Sequence, residues 1–167
     1  MKLFGHPVHQ QLIVFPLGLL TTAVIFDLVA LARGNPYWFG IAFWLIAAGV
    51  IGGLLAAVFG AIDWWGIPAN TRAKRIGLWH GCGNVLVTLL FAGSWLLRRP
   101  SPETPGGLAL TMSFIAVGVA MVSGWLGGEL VDRLGVGVDE GANLNAPSSL
   151  SGKAKGQRAA RPSKRAA

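Results

Sequence analysis

Two histidines, His9 and His80, are the side chains in this 167-residue sequence best suited to hold a reactive centre. A neutral imidazole ligates haem iron, zinc or non-haem iron through one ring nitrogen. Two carboxylates, Asp63 and Glu129, can orient an imidazole by accepting its second ring N–H, or can ligate a metal themselves. Asp27 is the single ionisable residue between Leu12 and Leu31. It reads as a buried hydrogen-bond anchor or as part of a proton path. His6 precedes His9 in a His-Pro-x-His entry and reads as a capping or interface residue. Asn84, one turn after His80, reads as a bond between helices, and Cys82 as a packing residue. As the only cysteine, Cys82 excludes an intrachain disulfide and a C-x-x-C-H haem attachment. G-x-S-x-G, a phosphate-cradling glycine loop before lysine, and H-E-x-x-H are all absent, so no enzyme signature appears.

The elements that must position these residues follow from composition. The chain is 53% hydrophobic and 13% charged, against about 25% charged in a soluble domain. A soluble protein of this size would expose such apolar surface in patches, whereas lipid is a natural solvent for it. A hydrocarbon core of about 30 Å takes about 20 helical residues. Four stretches qualify: residues 12–31, 38–62, 76–97 and 108–130. Arg33-Gly34-Asn35-Pro36, Ile67-Pro68-Ala69-Asn70-Thr71 and Arg98-Arg99-Pro100-Ser101-Pro102 break them. Connections this short make neighbouring helices antiparallel. The expected fold is therefore an all-α membrane protein, an antiparallel four-transmembrane-helix bundle over residues 1–135. A disordered basic cytoplasmic tail over 136–167 follows it, too poor in apolar residues to offset its ordering entropy. Gly49/Gly53, Gly77/Gly81 and Gly124/Gly128 mark close helix contacts. No internal repeat is evident, and no broken helix or inverted repeat points to a transporter.

Ala30-Leu31-Ala32 resembles a signal-peptide cleavage site, but the first apolar stretch is too long and its charged leader is Lys2 alone. Lys and Arg gather on one side: Lys2, Arg72, Lys74, Arg75, Arg133, and the tail cations Lys153, Lys155, Arg158, Arg161, Lys164 and Arg165. The other side holds Arg33, Arg98 and Arg99. Both termini should then face the cytoplasm. Beside a membrane domain, the tail suits solvent or anionic lipid head groups, with no nucleic acid expected.

Antiparallel crossing sets the depth of each ionisable group. His9 precedes the first span, Asp63 ends the second, His80 sits four residues into the third and Glu129 lies close to the end of the fourth. All four belong at the cytoplasmic end. Asp27, eighteen residues after His9, lies about 27 Å away, near the other face. Three readings stay open. His9 and His80 hold a b-type haem; or the histidines and carboxylates hold zinc or iron; or the cluster is structural, with Asp63 paired to Arg72 or Arg75 and Glu129 to Arg133.

Three motifs occur in order: Gly5-His6-Pro7-Val8-His9 with Phe15-Pro16-Leu17-Gly18-Leu19; Ile62-Asp63-Trp64 with Arg75-Ile76-Gly77-Leu78-Trp79-His80-Gly81 and Asn84; and Gly124-Trp125-Leu126-Gly127-Gly128-Glu129-Leu130-Val131. Over residues 5–138 the chain resembles the bacterial membrane-protein family called domain of unknown function 2231. The resemblance implies a four-span protein of the bacterial inner membrane without a settled activity. Some relatives keep company with Rieske-type iron–sulfur domains, which implies a redox partner protein. Related sequences often read Tyr-Arg-His after the Gly-Glu-Leu-Val run. Here Asp132-Arg133-Leu134 stands instead, so a ligand role does not carry over to the fourth span. The function expected is a cofactor-holding redox module; the alternative is a non-catalytic scaffold whose polar cluster locks helix packing. Reporter fusions after Thr104 and at the C-terminus should report opposite sides of the membrane, and matching sides would refute four spans.

Overall fold

The structure, a computed structural model, describes residues 1–151. The tail cations from Lys153 to Arg165 lie outside the described residues. Four long apolar helices that can cross a membrane dominate the fold. A two-residue hairpin precedes them: β1 (Lys2–Leu3) pairs antiparallel with β2 (His6–Pro7). Phe4 and Gly5 turn between the strands, both with positive φ (50° and 84°), the geometry that tight hairpins favour.

The first span is interrupted. Helix α1 covers Val8–Leu12 and α2 covers Val14–Arg33, with Ile13 between them. Pro16 accounts for the break, because its ring carries no N–H for the Leu12 carbonyl and crowds it. Gly34, at φ 62°, turns the chain after α2 in the left-handed conformation that glycine adopts without strain. Helix α3 runs Tyr37–Trp65. Helix α4 runs Arg72–Arg98 behind an N-cap at Thr71, whose hydroxyl accepts from the Lys74 N–H at 3.1 Å. Helix α5 runs Gly107–Gly128 and widens into a π-helical turn, Glu129–Arg133. After it, residues 136–151 form turns without helix or strand. They lie across the N-terminal hairpin. Lys2 pairs with Asp139, Ser149 Oγ donates to the Phe4 carbonyl at 3.0 Å, and Gln10 donates to the Val136 carbonyl at 3.5 Å.

The helices form a closed ring in which α2 touches α3, α3 touches α4, α4 touches α5 and α5 returns to α2. Its core is Leu20, Ala23 and Val24 of α2, Ala42 and Ile46 of α3, Val87 and Phe91 of α4, and Ala116 of α5. Only 17–22% of the most apolar window of each span is buried. The outward residues, among them Ile25, Leu28, Trp44, Leu54, Leu89 and Val122, are as apolar as the core. Lipid must cover them.

Within lipid, packing takes over from the hydrophobic effect, and small residues set how closely helices approach. Of the expected glycine contacts, Gly49 packs on Leu20 and Gly77 on Trp64, whereas Gly81, Gly124 and Gly128 have open space beside them. Cys82 is exposed rather than packed. A Cβ at Gly49 would stand 2.6 Å from the Leu20 side chain. Gly49→Leu should therefore cost about 1–3 kcal/mol by overpacking. Gly118→Leu, where nothing lies within 4 Å, should be close to neutral. Thermal unfolding in detergent compares the two.

Candidate functional site

The imidazoles of His9 and His80 meet at one end of the bundle. Their ring centroids are 6.4 Å apart and the rings stand at 85°. His9 comes from α1 and His80 from α4, which sit on opposite corners of the ring of helices. Each imidazole is fixed in the same way. His9 Nδ1 lies 2.9 Å from the Ala56 carbonyl of α3, and His80 Nδ1 lies 2.8 Å from the Ser123 carbonyl of α5. A carbonyl oxygen only accepts, so in both rings Nδ1 carries the proton and donates it. That leaves the Nε2 lone pair of a neutral ring as the free valence. At His80 this lone pair accepts an N–H from Asn84 Nδ2, 3.1 Å away. Asn84 also donates to the His80 carbonyl at 3.0 Å, as does Ser123 Oγ at 3.1 Å.

Helical carbonyls already accept one bond from four residues ahead and keep a second lone pair for a side-chain donor. At both carbonyls the residue four ahead is glycine, Gly60 after Ala56 and Gly127 after Ser123. A Cβ at Gly60 would lie 2.8 Å from His9 Cε1, and one at Gly127 would lie 3.0 Å from His80 Cε1. Both glycines therefore seat a ring on the bare backbone.

The two carboxylates lie at the same end but are held by other groups. Asp63 pairs with the N-terminal amine of Met1, not with Arg72 or Arg75. Glu129, at the start of the π turn, pairs with Arg72 at 2.9 Å, not with Arg133. Neither carboxylate orients an imidazole, since backbone carbonyls hold the two Nδ1 protons. Among the described residues, no group of three or more His, Cys, Asp or Glu stands ready to hold a metal ion. His6 belongs to β2, with Nδ1 3.2 Å from the Phe4 carbonyl.

The sequence reading missed a second polar cluster, at the opposite end. Asp27 is not alone. Arg98 meets it with two parallel bonds, Nη1 to Oδ1 and Nη2 to Oδ2, each 2.7 Å. Arg98 Nε donates to Ser94 Oγ at 3.1 Å and Nη2 to Ser113 Oγ at 3.2 Å, while Ser94 donates to the Ala109 carbonyl at 2.7 Å. Asp27, Ser94, Arg98 and Ser113 are all 0% exposed. Arg98 had been assigned to a loop, because Arg-Arg-Pro reads as a helix end. Instead α4 extends through it and turns its guanidinium inward. The missed signal was spacing: Arg98 follows His80 by the same eighteen residues that separate Asp27 from His9, which sets the two charges at one depth.

A family described as "Predicted membrane protein (DUF2231)" has a model that matches residues 5–140. The chain belongs to the DUF2231 family. No curated protein and no solved structure matches it. The family match spans all four helices, the imidazole pair and the ion pair, so both polar clusters lie within the DUF2231 unit. Removing one partner of a buried ion pair strands the other without water. Asp27→Leu should cost about 3–5 kcal/mol, and the double variant Asp27→Leu/Arg98→Leu should cost less than the single one. Unfolding midpoints in detergent measure both.

Proposed function

We propose that this DUF2231 protein is a small membrane redox subunit that holds one b-type haem iron between His9 and His80. The observation that carries the reading is the imidazole pair itself: two rings on facing helices, each with its proton held on Nδ1 by a backbone carbonyl. That leaves Nε2 as the ligand atom, and a second bond of this kind is the usual means of orienting metal-bound histidine. The spacing also fits. Two metal–nitrogen bonds of about 2 Å, with roughly 1 Å from each nitrogen to its ring centre, span about 6 Å. The rings stand 6.4 Å apart. Ligation asks Asn84 to release His80 Nε2 while keeping its bond to the His80 carbonyl.

The donor set favours haem over zinc or non-haem iron. A structural zinc site takes four protein ligands, and a non-haem iron centre commonly takes two histidines and a carboxylate. Here Asp63 and Glu129 are neutralised by Met1 and Arg72. A porphyrin brings four nitrogens of its own and asks the protein for two axial ligands only. The group would supply one-electron transfer. His9 and His80 would hold the group through Nε2, while the Ala56 and Ser123 carbonyls keep each Nδ1 protonated and Gly60 and Gly127 make room for the rings.

The same reading places the protein in the plasma membrane with both termini cytoplasmic. Burial of Arg98 supports this, because it leaves Arg33 and Arg99 as the only loop cations of the opposite side. A redox protein would then be its partner, and the basic tail would meet anionic lipid. The alternative, a scaffold whose polar groups only lock the helices, predicts a colourless protein. Protein purified in detergent after expression with ample haem should show a Soret band that shifts on reduction. His9→Ala and His80→Ala should each abolish it, and His6→Ala should retain it. A wild-type protein without the band overturns the haem reading.

A further inference from the structure

We infer that the membrane domain is one helix hairpin used twice, its halves related by a pseudo-twofold axis along the membrane normal, and that the Asp27–Arg98 pair on that axis makes each half choose the other as partner. This inference holds whatever occupies the imidazole pair.

The first half is α1 through α3 and the second is α4 with α5. A shift of 71 residues carries His9 onto His80, Leu20 onto Phe91, Ala23 onto Ser94 and Asp27 onto Arg98. The last three pairs are buried in both halves. On the second helix of each half, a shift of 67 carries Ala42 onto Ala109, Ile46 onto Ser113, Gly49 onto Ala116 and Ala56 onto Ser123. These are all the buried residues of α5, and each lands on a buried residue of α3. A heptad-like stripe by itself would be shared by any two packed helices. What is specific is that the same two shifts also superpose the chemistry. They map the His9 bond to the Ala56 carbonyl onto the His80 bond to the Ser123 carbonyl, and Gly60 onto Gly127. Both halves start at the same face of the membrane, as parallel repeats do. The halves also differ. Pro16 breaks the first helix where Val87 continues α4, and Asn84 has Ile13 as its counterpart.

The axis explains why the buried charges are opposite. Two first halves paired about the same axis would set Asp27 against Asp27, and two second halves would set Arg98 against Arg98. Either arrangement buries like charges at membrane depth without a counter-ion. Only the mixed pairing gives a bidentate salt bridge. The two serines that complete the Arg98 network, Ser94 and Ser113, have Ala23 and Ile46 as counterparts. The hydroxyls thus stand only where the guanidinium needs acceptors.

If the halves are equivalent, the whole network can be moved across the axis. Asp27→Arg alone and Arg98→Asp alone should each lower the unfolding midpoint sharply and favour aggregation. The six-residue transposition Ala23→Ser, Asp27→Arg, Ile46→Ser, Ser94→Ala, Arg98→Asp and Ser113→Ile should recover at least half of the lost midpoint and the monodisperse detergent-solubilised state. A transposed protein as unstable as the single variants overturns the inference, and so do single variants that unfold like the wild type. Gly60→Ala and Gly127→Ala give a second check without charge. Each should lower the midpoint by a similar amount, and a loss confined to one of them overturns the equivalence of the halves. Neither readout depends on a visible spectrum, so a colourless protein that passes both tests retains the duplicated fold and rejects only the haem reading.

Discussion

Hydrocarbon offers no water to complete a hydrogen bond, and each polar group held at that depth has to find its partner inside the protein. Helices answer this for the backbone. The side chains show the same constraint more sharply. Arg98 directs three nitrogens at Asp27, Ser94 and Ser113, and Ser94 passes a bond on to the Ala109 carbonyl. The imidazoles solve the problem by borrowing the second lone pair of helical carbonyls, each ring seated against a glycine four residues ahead.

Polar ties therefore do work that apolar burial does in a soluble bundle. The lipid side of each helix is as apolar as the core, so burying a leucine gains little from solvent. Neighbouring helices are held by close packing, as at Gly49 on Leu20 and in the stacking of Trp95 on Phe43 at 5.5 Å. Opposite corners of the ring meet through polar groups: an ion pair at one end and two imidazoles at the other. These diagonal contacts tie the first span, α1 with α2, to α4 at two levels about 27 Å apart along the helices.

Much of this was legible in the sequence. Long apolar runs bounded by Pro and Gly gave four helices, and antiparallel order put His9 and His80 at one depth, where the structure brings them together. Depth could not say which side chains touch. Asp63 found the N-terminus, because the β hairpin folds Met1 back over the bundle end, a contact written in two residues of strand. Glu129 reached Arg72 because antiparallel neighbours α4 and α5 bring the start of one beside the end of the other. Arg98 was misread, since a helix end and a loop share the same Arg-Arg-Pro signature and burial decides between them. The repeat escaped notice because, beyond His9/His80, Ala42/Ala109 and Gly60/Gly127, its halves share burial and backbone chemistry more than residue types: Asp stands for Arg, Ile for Ser and Gly for Ala.

The interruption at Ile13 gives the two imidazoles unlike mountings. His80 rides on a helix that runs unbroken from Arg72 to Arg98 and is clamped at its far end by a buried guanidinium. His9 rides just ahead of Ile13, which keeps helical dihedrals and both flanking helical bonds, Ile13 N–H to the His9 carbonyl and Leu17 N–H to the Ile13 carbonyl, each 3.1 Å. One ring stands on an unbroken beam; the other stands on a beam with a rung missing one turn past the ring, where Pro16 offers the Leu12 carbonyl no N–H.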